Sequence, residues 1–181
     1  IELAHGRISV IAGTGSNSTE ETLHQTKEAE SLGADACLLV TPYYNRPTQE
    51  GLYAHFKKVA ETTSVPLVLY NVPSRTGCDL LPETIGRLSS IEGIVGIKEA
   101  SGKIERVSEI RSVSASDFFI LSGEDALTLE MMSNGAVGTI SVTANVLPKA
   151  MAEFCDSFLS GNIKRASEID EVLQSVHEIL F

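Results

Sequence analysis

The chain predicts an α/β fold and, within that class, a (β/α)8 TIM barrel of which six strand–helix units are present. Three observations point there. Short apolar runs alternate strictly with helix-period segments, which implies parallel strands joined by right-handed crossovers. No linker or low-complexity insert interrupts the alternation. Polar and aromatic residues follow strand after strand, each time at the C-terminal end, where barrels carry their chemistry. A doubly wound sheet would gather its site at one switch point instead.

Each element has its own signal. Arg7–Ala12 reads as a strand closed by Gly13-Thr14-Gly15. Ser18 opens a helix, Glu21 completes a capping-box pattern three residues on, and Gly33 stops it. Ala36–Val40 is the second strand, running into Thr41-Pro42-Tyr43-Tyr44-Asn45, and residues 49–62 are helical. Pro66–Tyr70 is the third strand, 82–88 a short helix, and Ile94–Glu99 the fourth strand. Residues 104–113 are helical, Phe118–Leu121 is a strand, 125–133 a helix and Val137–Ser141 the sixth strand. After the helix over 148–159, Gly161-Asn162 breaks the chain. Ala166, Ile169, Leu173, Val176 and Leu180 then recur at amphipathic spacing. Residues 1–161 are thus expected to form a partial barrel, and 162–181 the first helix of a C-terminal helical extension. Six units do not close an eight-unit ring, so the sequence reads as an excerpt of a larger protein.

Composition narrows the function classes. At 181 residues, 43% hydrophobic and 21% charged, the chain has material for one ordinary globular core. Its net charge of −10, without basic blocks, argues against nucleic acid or an anionic membrane as partner. An anionic substrate would have to be held by locally placed cations. Cys37, Cys78 and Cys155 are odd in number and lack paired spacing, so neither a disulfide framework nor a metal site is expected. Free thiols and no apolar run of membrane-spanning length fit a cytoplasmic setting.

The candidate chemistry centres on Ile94-Val95-Gly96-Ile97-Lys98-Glu99-Ala100. Alternation puts Ile94, Gly96 and Lys98 on one face and Val95, Ile97 and Glu99 on the other. If the second set meets the helices, Lys98 points into the ring, with Gly96 leaving empty volume beside it. A lysine amine in a desolvated pocket loses preference for its charged form, and a neutral amine attacks carbonyls. The alternative is a strand-end lysine paired with Glu99 in solvent. Tyr70 shares parity with Val68 and should also point inward, where a phenol can relay protons. The alternative, commoner in proteins at large, is a buried tyrosine tied off by a hydrogen bond. Arg75 offers a planar fork for a carboxylate, or is a surface arginine. Tyr43 and Tyr44 at a strand end suggest a subunit contact. Gly13-Thr14-Gly15-Ser16-Asn17-Ser18 lacks the third glycine of a dinucleotide fingerprint, so a dehydrogenase is disfavoured and the glycines instead let the turn pass close to a ligand or neighbour. The four histidines lie outside these loops.

Taken together, Val40-Thr41-Pro42-Tyr43-Tyr44-Asn45-Arg46-Pro47, Tyr70-Asn71-Val72-Pro73-Ser74-Arg75-Thr76-Gly77 and Gly96-Ile97-Lys98-Glu99-Ala100 resemble the dihydrodipicolinate synthase and N-acetylneuraminate lyase family of class I aldolases. The resemblance covers the whole chain in order and spacing. It implies units 3 to 8 of a (β/α)8 barrel and a lyase that condenses pyruvate with aspartate semialdehyde in diaminopimelate and lysine biosynthesis. It implies that Lys98 forms the Schiff base with pyruvate and that Tyr70 shuttles protons. Tyr44 would reach into a neighbouring subunit's site, and Arg75 would bind the semialdehyde carboxylate. Gly123 and Ile140 match backbone positions near bound pyruvate. Asn17, Glu21 and Tyr43 match the family's lysine-feedback pocket, although Glu21 is also explained by the capping box. No metal or organic cofactor is implied beyond the covalent pyruvate imine, and a homodimer or homotetramer is. The family's Gly-Thr-Thr-Gly-Glu segment has no counterpart in this sequence. A sialate lyase or keto-deoxy-sugar aldolase would share the lysine and tyrosine, and Arg75 discriminates against the sialate lyase. A binding module would keep the barrel but has no need of all three side chains.

Overall fold

The computed structural model describes residues 1–180. Five parallel strands form one sheet in sequential order. They are β1 (Ile11–Gly13), β2 (Ala36–Val40), β3 (Leu67–Asn71), β4 (Ile94–Glu99) and β5 (Phe119–Ser122). Each strand neighbours the next in sequence, which is the order of a barrel wall. Helices α1 (Thr19–Ser31), α2 (Gln49–Ala60), α4 (Pro82–Leu88) and α5 (Glu105–Val113) return the chain from strand to strand. The single turn α3 (Pro73–Thr76) precedes α4. After β5 come a 3₁₀ turn at Asp125–Leu127, then α6 (Thr128–Ser133), α7 (Pro148–Leu159) and α8 (Ile163–Leu180).

The expected sixth strand shrinks to one parallel bridge, Ser122 to Thr139. The chain still follows β5 there, since Val137 N donates to Ile120 O and Ile140 N to Ser122 O. The first strand is three residues long, starting at Ile11 instead of Arg7. Only half of the capping box forms. Ser18 Oγ accepts from Glu21 N at 3.4 Å, but the Glu21 carboxylate accepts from Ser16 Oγ at 2.9 Å instead of reaching back to Ser18 N.

The core lies between sheet and helices. Cys37, Leu39, Leu67, Leu69, Ile97 and Ile120 face outward from the sheet and are fully buried against Leu52, Phe56, Ile85, Leu88, Val107 and Ile110. Ala166, Ile169 and Leu173 of α8 enter the same cluster beside Met151 and Phe154 of α7. Val176 and Leu180, expected on the same apolar stripe, are half-buried and exposed; His177 is the buried residue of that turn. The three cysteines are free, Cys37 and Cys78 buried and Cys155 half-buried. Among the described residues no helix is long and apolar enough to cross a membrane.

Candidate active site

The site is assembled by register. In the β3–β4 ladder Tyr70 stands opposite Lys98 and Asn71 opposite Glu99. Tyr70 and Lys98 therefore leave the same face of the sheet, away from the helices, and the Lys98 ammonium lies 4.3 Å from the centre of the Tyr70 ring. Lys98 does not pair with Glu99, because adjacent strand residues project to opposite faces. Glu99 is fully buried on the helix side and Lys98 is only 9% exposed on the other.

Two details of the strand differ from simple alternation. The ladder shifts register between Leu67 and Val68, pairing Leu67 with Ile94 but Val68 with Gly96. Val95 is the extra residue, as in a β-bulge. Ile94 consequently joins Ile97 in the helix-side core, whereas Val95 is half-exposed, the reverse of the expected parity. Downstream of the bulge the alternation holds for Lys98. Gly96 also leaves no empty space, since a Cβ there would clash with the Phe119 ring, which packs against that position. The glycine that makes room for the lysine is Gly123. A Cβ at this position would stand 2.8 Å from Lys98 Cε and 2.7 Å from Ala100 Cβ.

Burial pushes the Lys98 pKa below its ordinary value of 10.5; the Asp125 and Glu124 carboxylates oppose the shift, and Arg75 reinforces it. The amine is therefore neutral more often than an ordinary lysine at a given pH. Burial likewise raises the Tyr70 phenol, with Arg75 opposing and Glu124 reinforcing. The phenol stays protonated and able to donate. Among the described residues its oxygen has no protein hydrogen-bond partner, unlike a tyrosine tied off in a core. Burial raises Glu124 as well, against the pull of Arg75 and Lys98.

Arg75 lies exposed on α3, a turn started by Pro73 and closed by Gly77 in the left-handed region at φ 68°. Among the described residues it forms no ion pair, so its fork is open to a ligand. With Tyr43, Tyr44, Arg46 and Ser74 it lines an open depression of about 610 Å³. Tyr44 is 89% exposed and sits at φ 71°, an uncommon backbone for a tyrosine. Tyr44 N donates to Thr76 O at 3.2 Å, which fastens this loop to α3.

The remaining expected residues fall in separate places. Ile140 is half-buried, and its N–H donates to Ser122 O, which holds it beside Gly123, whose own amide donates to Glu99 O. Asn17 and Glu21 lie at the start of α1, whereas Tyr43 lines the depression beside Arg75. Asn17 O accepts from Asn45 Nδ2 at 3.1 Å, linking that loop to the tyrosine loop. Gly15 lets the same turn pass its neighbour, since a Cβ there would meet the backbone of Leu39 and Val40. Among the described residues no group of three or more His, Cys, Asp or Glu side chains could hold a metal ion.

Sequence reasoning gave no role to Asp125 or Glu124. Asp125 is buried, and its Oδ2 accepts from Val142 N and Thr143 N at 2.9 and 2.8 Å. It thus ties the segment after Ile140 to the end of β5. The signal for both acids was their place directly after Ser122-Gly123 at a strand end.

Comparison with known proteins gives the family and the fold. A family model described as the Dihydrodipicolinate synthetase family matches residues 1–181. The chain is 54% identical over 181 residues to the 4-hydroxy-tetrahydrodipicolinate synthase of Methylococcus capsulatus, spanning all of this chain and 62% of that protein. It superimposes on the chloride-inhibited dihydrodipicolinate synthase of Acinetobacter baumannii, complexed with pyruvate, with a TM-score of 0.97 and 49% identity. That match covers 100% of this chain and 62% of the other. The dihydrodipicolinate synthase of Aquifex aeolicus gives a TM-score of 0.97 at 46% identity, over 99% and 62% of the two chains. The sequence thus spans about three-fifths of the length of these relatives, and its fold is the corresponding arc of a (β/α)8 barrel.

Proposed function

The chain belongs to the dihydrodipicolinate synthetase family, and from that premise we propose that it carries the Schiff-base centre of a lyase condensing pyruvate with aspartate semialdehyde, in the cytoplasmic synthesis of diaminopimelate and lysine. The observation that carries the reading is the pairing of Lys98 with Tyr70 across β3 and β4, amine over ring at 4.3 Å. The neutral Lys98 amine attacks the pyruvate carbonyl carbon, and loss of water leaves an iminium. The iminium withdraws electrons, so the pyruvate methyl gives up a proton and becomes an enamine carbon. That carbon attacks the aldehyde carbon of the semialdehyde, whose oxygen takes a proton. Tyr70 is placed to move these protons because its ring lies against the amine and, among the described residues, its hydroxyl has no protein partner.

In this reading the Gly123 and Ile140 backbone borders the pyruvate, and Arg75 grips the semialdehyde carboxylate through its open fork. Tyr44, projecting at the rim, completes the proton relay of a second copy in a homodimer or homotetramer. Asn17, Glu21 and Tyr43 form part of a regulatory lysine pocket at that contact. Residues 1–161 supply barrel units, and 162–181, of which Phe181 lies outside the described residues, begin the helical extension.

Arg75→Ala separates the two half-reactions. Pyruvate adduct formation should change little, while the semialdehyde-dependent step falls roughly 100-fold, the cost of a lost charged fork. Stopped-flow mixing with each substrate in turn measures both. Equal losses in the two steps would make Arg75 a structural residue and remove the carboxylate assignment.

A further inference from the structure

Behind the site, on the helix side of the same strands, lies a buried polar cluster that the chemistry does not use. Asn71, one residue after Tyr70, and Glu99, one residue after Lys98, are both fully buried. The Asn71 amide nitrogen donates to Glu99 Oε2 at 3.1 Å and to Asp79 Oδ1 at 2.9 Å, and its oxygen accepts from Leu80 N at 3.0 Å. Glu99 Oε1 accepts from Ser101 N at 2.7 Å. Arg106 of α5, itself buried, grips both oxygens of Asp79 at 3.0 Å and also reaches Leu80 O. Through its main chain Glu99 holds Gly123, whose amide donates to Glu99 O at 2.8 Å.

We infer that Glu99 and Asn71, braced by Asp79 and Arg106, are positioning residues that fix the directions of Lys98 and Tyr70. The reason is the geometry of a strand. Successive side chains project oppositely, so a roll of the strand end moves Lys98 and Glu99 in opposite senses. Anchoring Glu99 by two hydrogen bonds stops that roll for Lys98, and anchoring Asn71 stops it for Tyr70. The Asn71–Glu99 bond then joins the two anchors directly across the ladder, so the spacing of amine and phenol is set from behind. Gly123, packed on the Lys98 stem, hangs from the same residue. A carboxylate suits position 99 because it meets two donors, Ser101 N and Asn71 Nδ2, and Asn71 cannot turn to offer its oxygen without abandoning Leu80 N.

Glu99→Gln tests this, since it keeps size but sets an amide donor against the Asn71 donor. The inference rests on the imine chemistry proposed above, and the experiment separates the two. Parent and variant protein are mixed with pyruvate and quenched with borohydride over time, giving both the fraction of molecules finally labelled and the rate constant. A displacement of the amine by about 1 Å slows chemistry by roughly 100-fold. The expected result is an unchanged final fraction with a rate constant lower by 10-fold or more. A variant whose rate constant matches the parent, whatever its thermal stability or labelled fraction, would overturn the positioning role while leaving the imine intact. A parent that takes no label would overturn the imine reading and this inference with it. If Glu99→Gln does not fold, Arg106→Lys takes its place, leaving Glu99 and Asn71 in place but replacing the two-point grip on Asp79 with a single ammonium. The same criteria then apply, and an undiminished rate constant would again sink the inference.

Discussion

The two faces of β2, β3 and β4 are finished differently. Toward the helices, Cys37, Leu39, Leu67, Leu69 and Ile97 are fully buried, and the polar Asn71 and Glu99 among them are met by hydrogen bonds. Toward the other side, Leu38, Val40 and Tyr70 are half-buried, the Tyr70 oxygen lacks a protein partner among the described residues, and Lys98 lies against an aromatic ring. One face minimises free energy, while the other holds a charged amine at a cost to stability. A single residue of offset along a strand separates the two roles, which is why register governs this molecule so strongly.

The largest effect expected from breaking that contrast is on Lys98. Lys98→Met should reduce borohydride-trapped pyruvate labelling to background, because it removes the buried amine that faces Tyr70; labelling that persists would move the chemistry elsewhere. On the opposite face, Leu39→Ala should lower unfolding free energy by about 2–5 kcal/mol, as a fully buried leucine leaves a cavity. Urea titration measures it, and a loss under about 1 kcal/mol would mean that the helix side is not the core.

His55 sharpens the comparison within the helix layer. It is buried with Nδ1 2.8 Å from Thr19 Oγ1, and burial brings its pKa down to about 4 from 6.5. A depressed folded-state value means that stability is full above pH 6.5 and is lost as pH falls toward 4. The loss is roughly 3 kcal/mol. His55→Leu should flatten the stability profile across that window, and an unchanged profile would assign the acid sensitivity to other groups.

The smallest effect belongs again to Lys98, now on stability. Its folded-state pKa is depressed, so the parent is penalised as pH falls through that value and recovers toward pH 10.5. Lys98→Met should therefore melt slightly higher than the parent at pH 7, with the difference narrowing at high pH. A lower melting point at pH 7 would show that the ammonium contributes more through Tyr70 than it loses by burial.

Much of this was legible in the residues themselves. Alternation located Lys98 and Tyr70 on one face because a strand has only two faces and the helix side demands leucine and isoleucine. Helix limits at Pro82, Leu88, Pro148 and Leu159 were equally plain, since a proline starts each of these helices. The bulge at Val95 was hidden because nothing in Ile94-Val95-Gly96 distinguishes a slipped pairing from a regular one. The lysine's glycine was misplaced for a related reason. Gly96 is its neighbour in sequence, but Phe119 comes from the next strand to fill that space, and Gly123 arrives from the same direction. The Asn71–Glu99–Asp79–Arg106 cluster was invisible because its members are separated by up to 35 positions and meet only once the sheet has formed. The sixth strand carried a strand-like composition, yet it pairs with β5 through a single bridge and a few backbone hydrogen bonds and does not lengthen into a ladder.

The most direct measurement is to treat the protein with pyruvate and borohydride, digest it, and locate the reduced adduct by peptide mass spectrometry. The account predicts one adduct, on the peptide containing Lys98, with none on any of the other lysines and none when pyruvate is omitted. An adduct confined to a different lysine, with Lys98 unmodified, would contradict it.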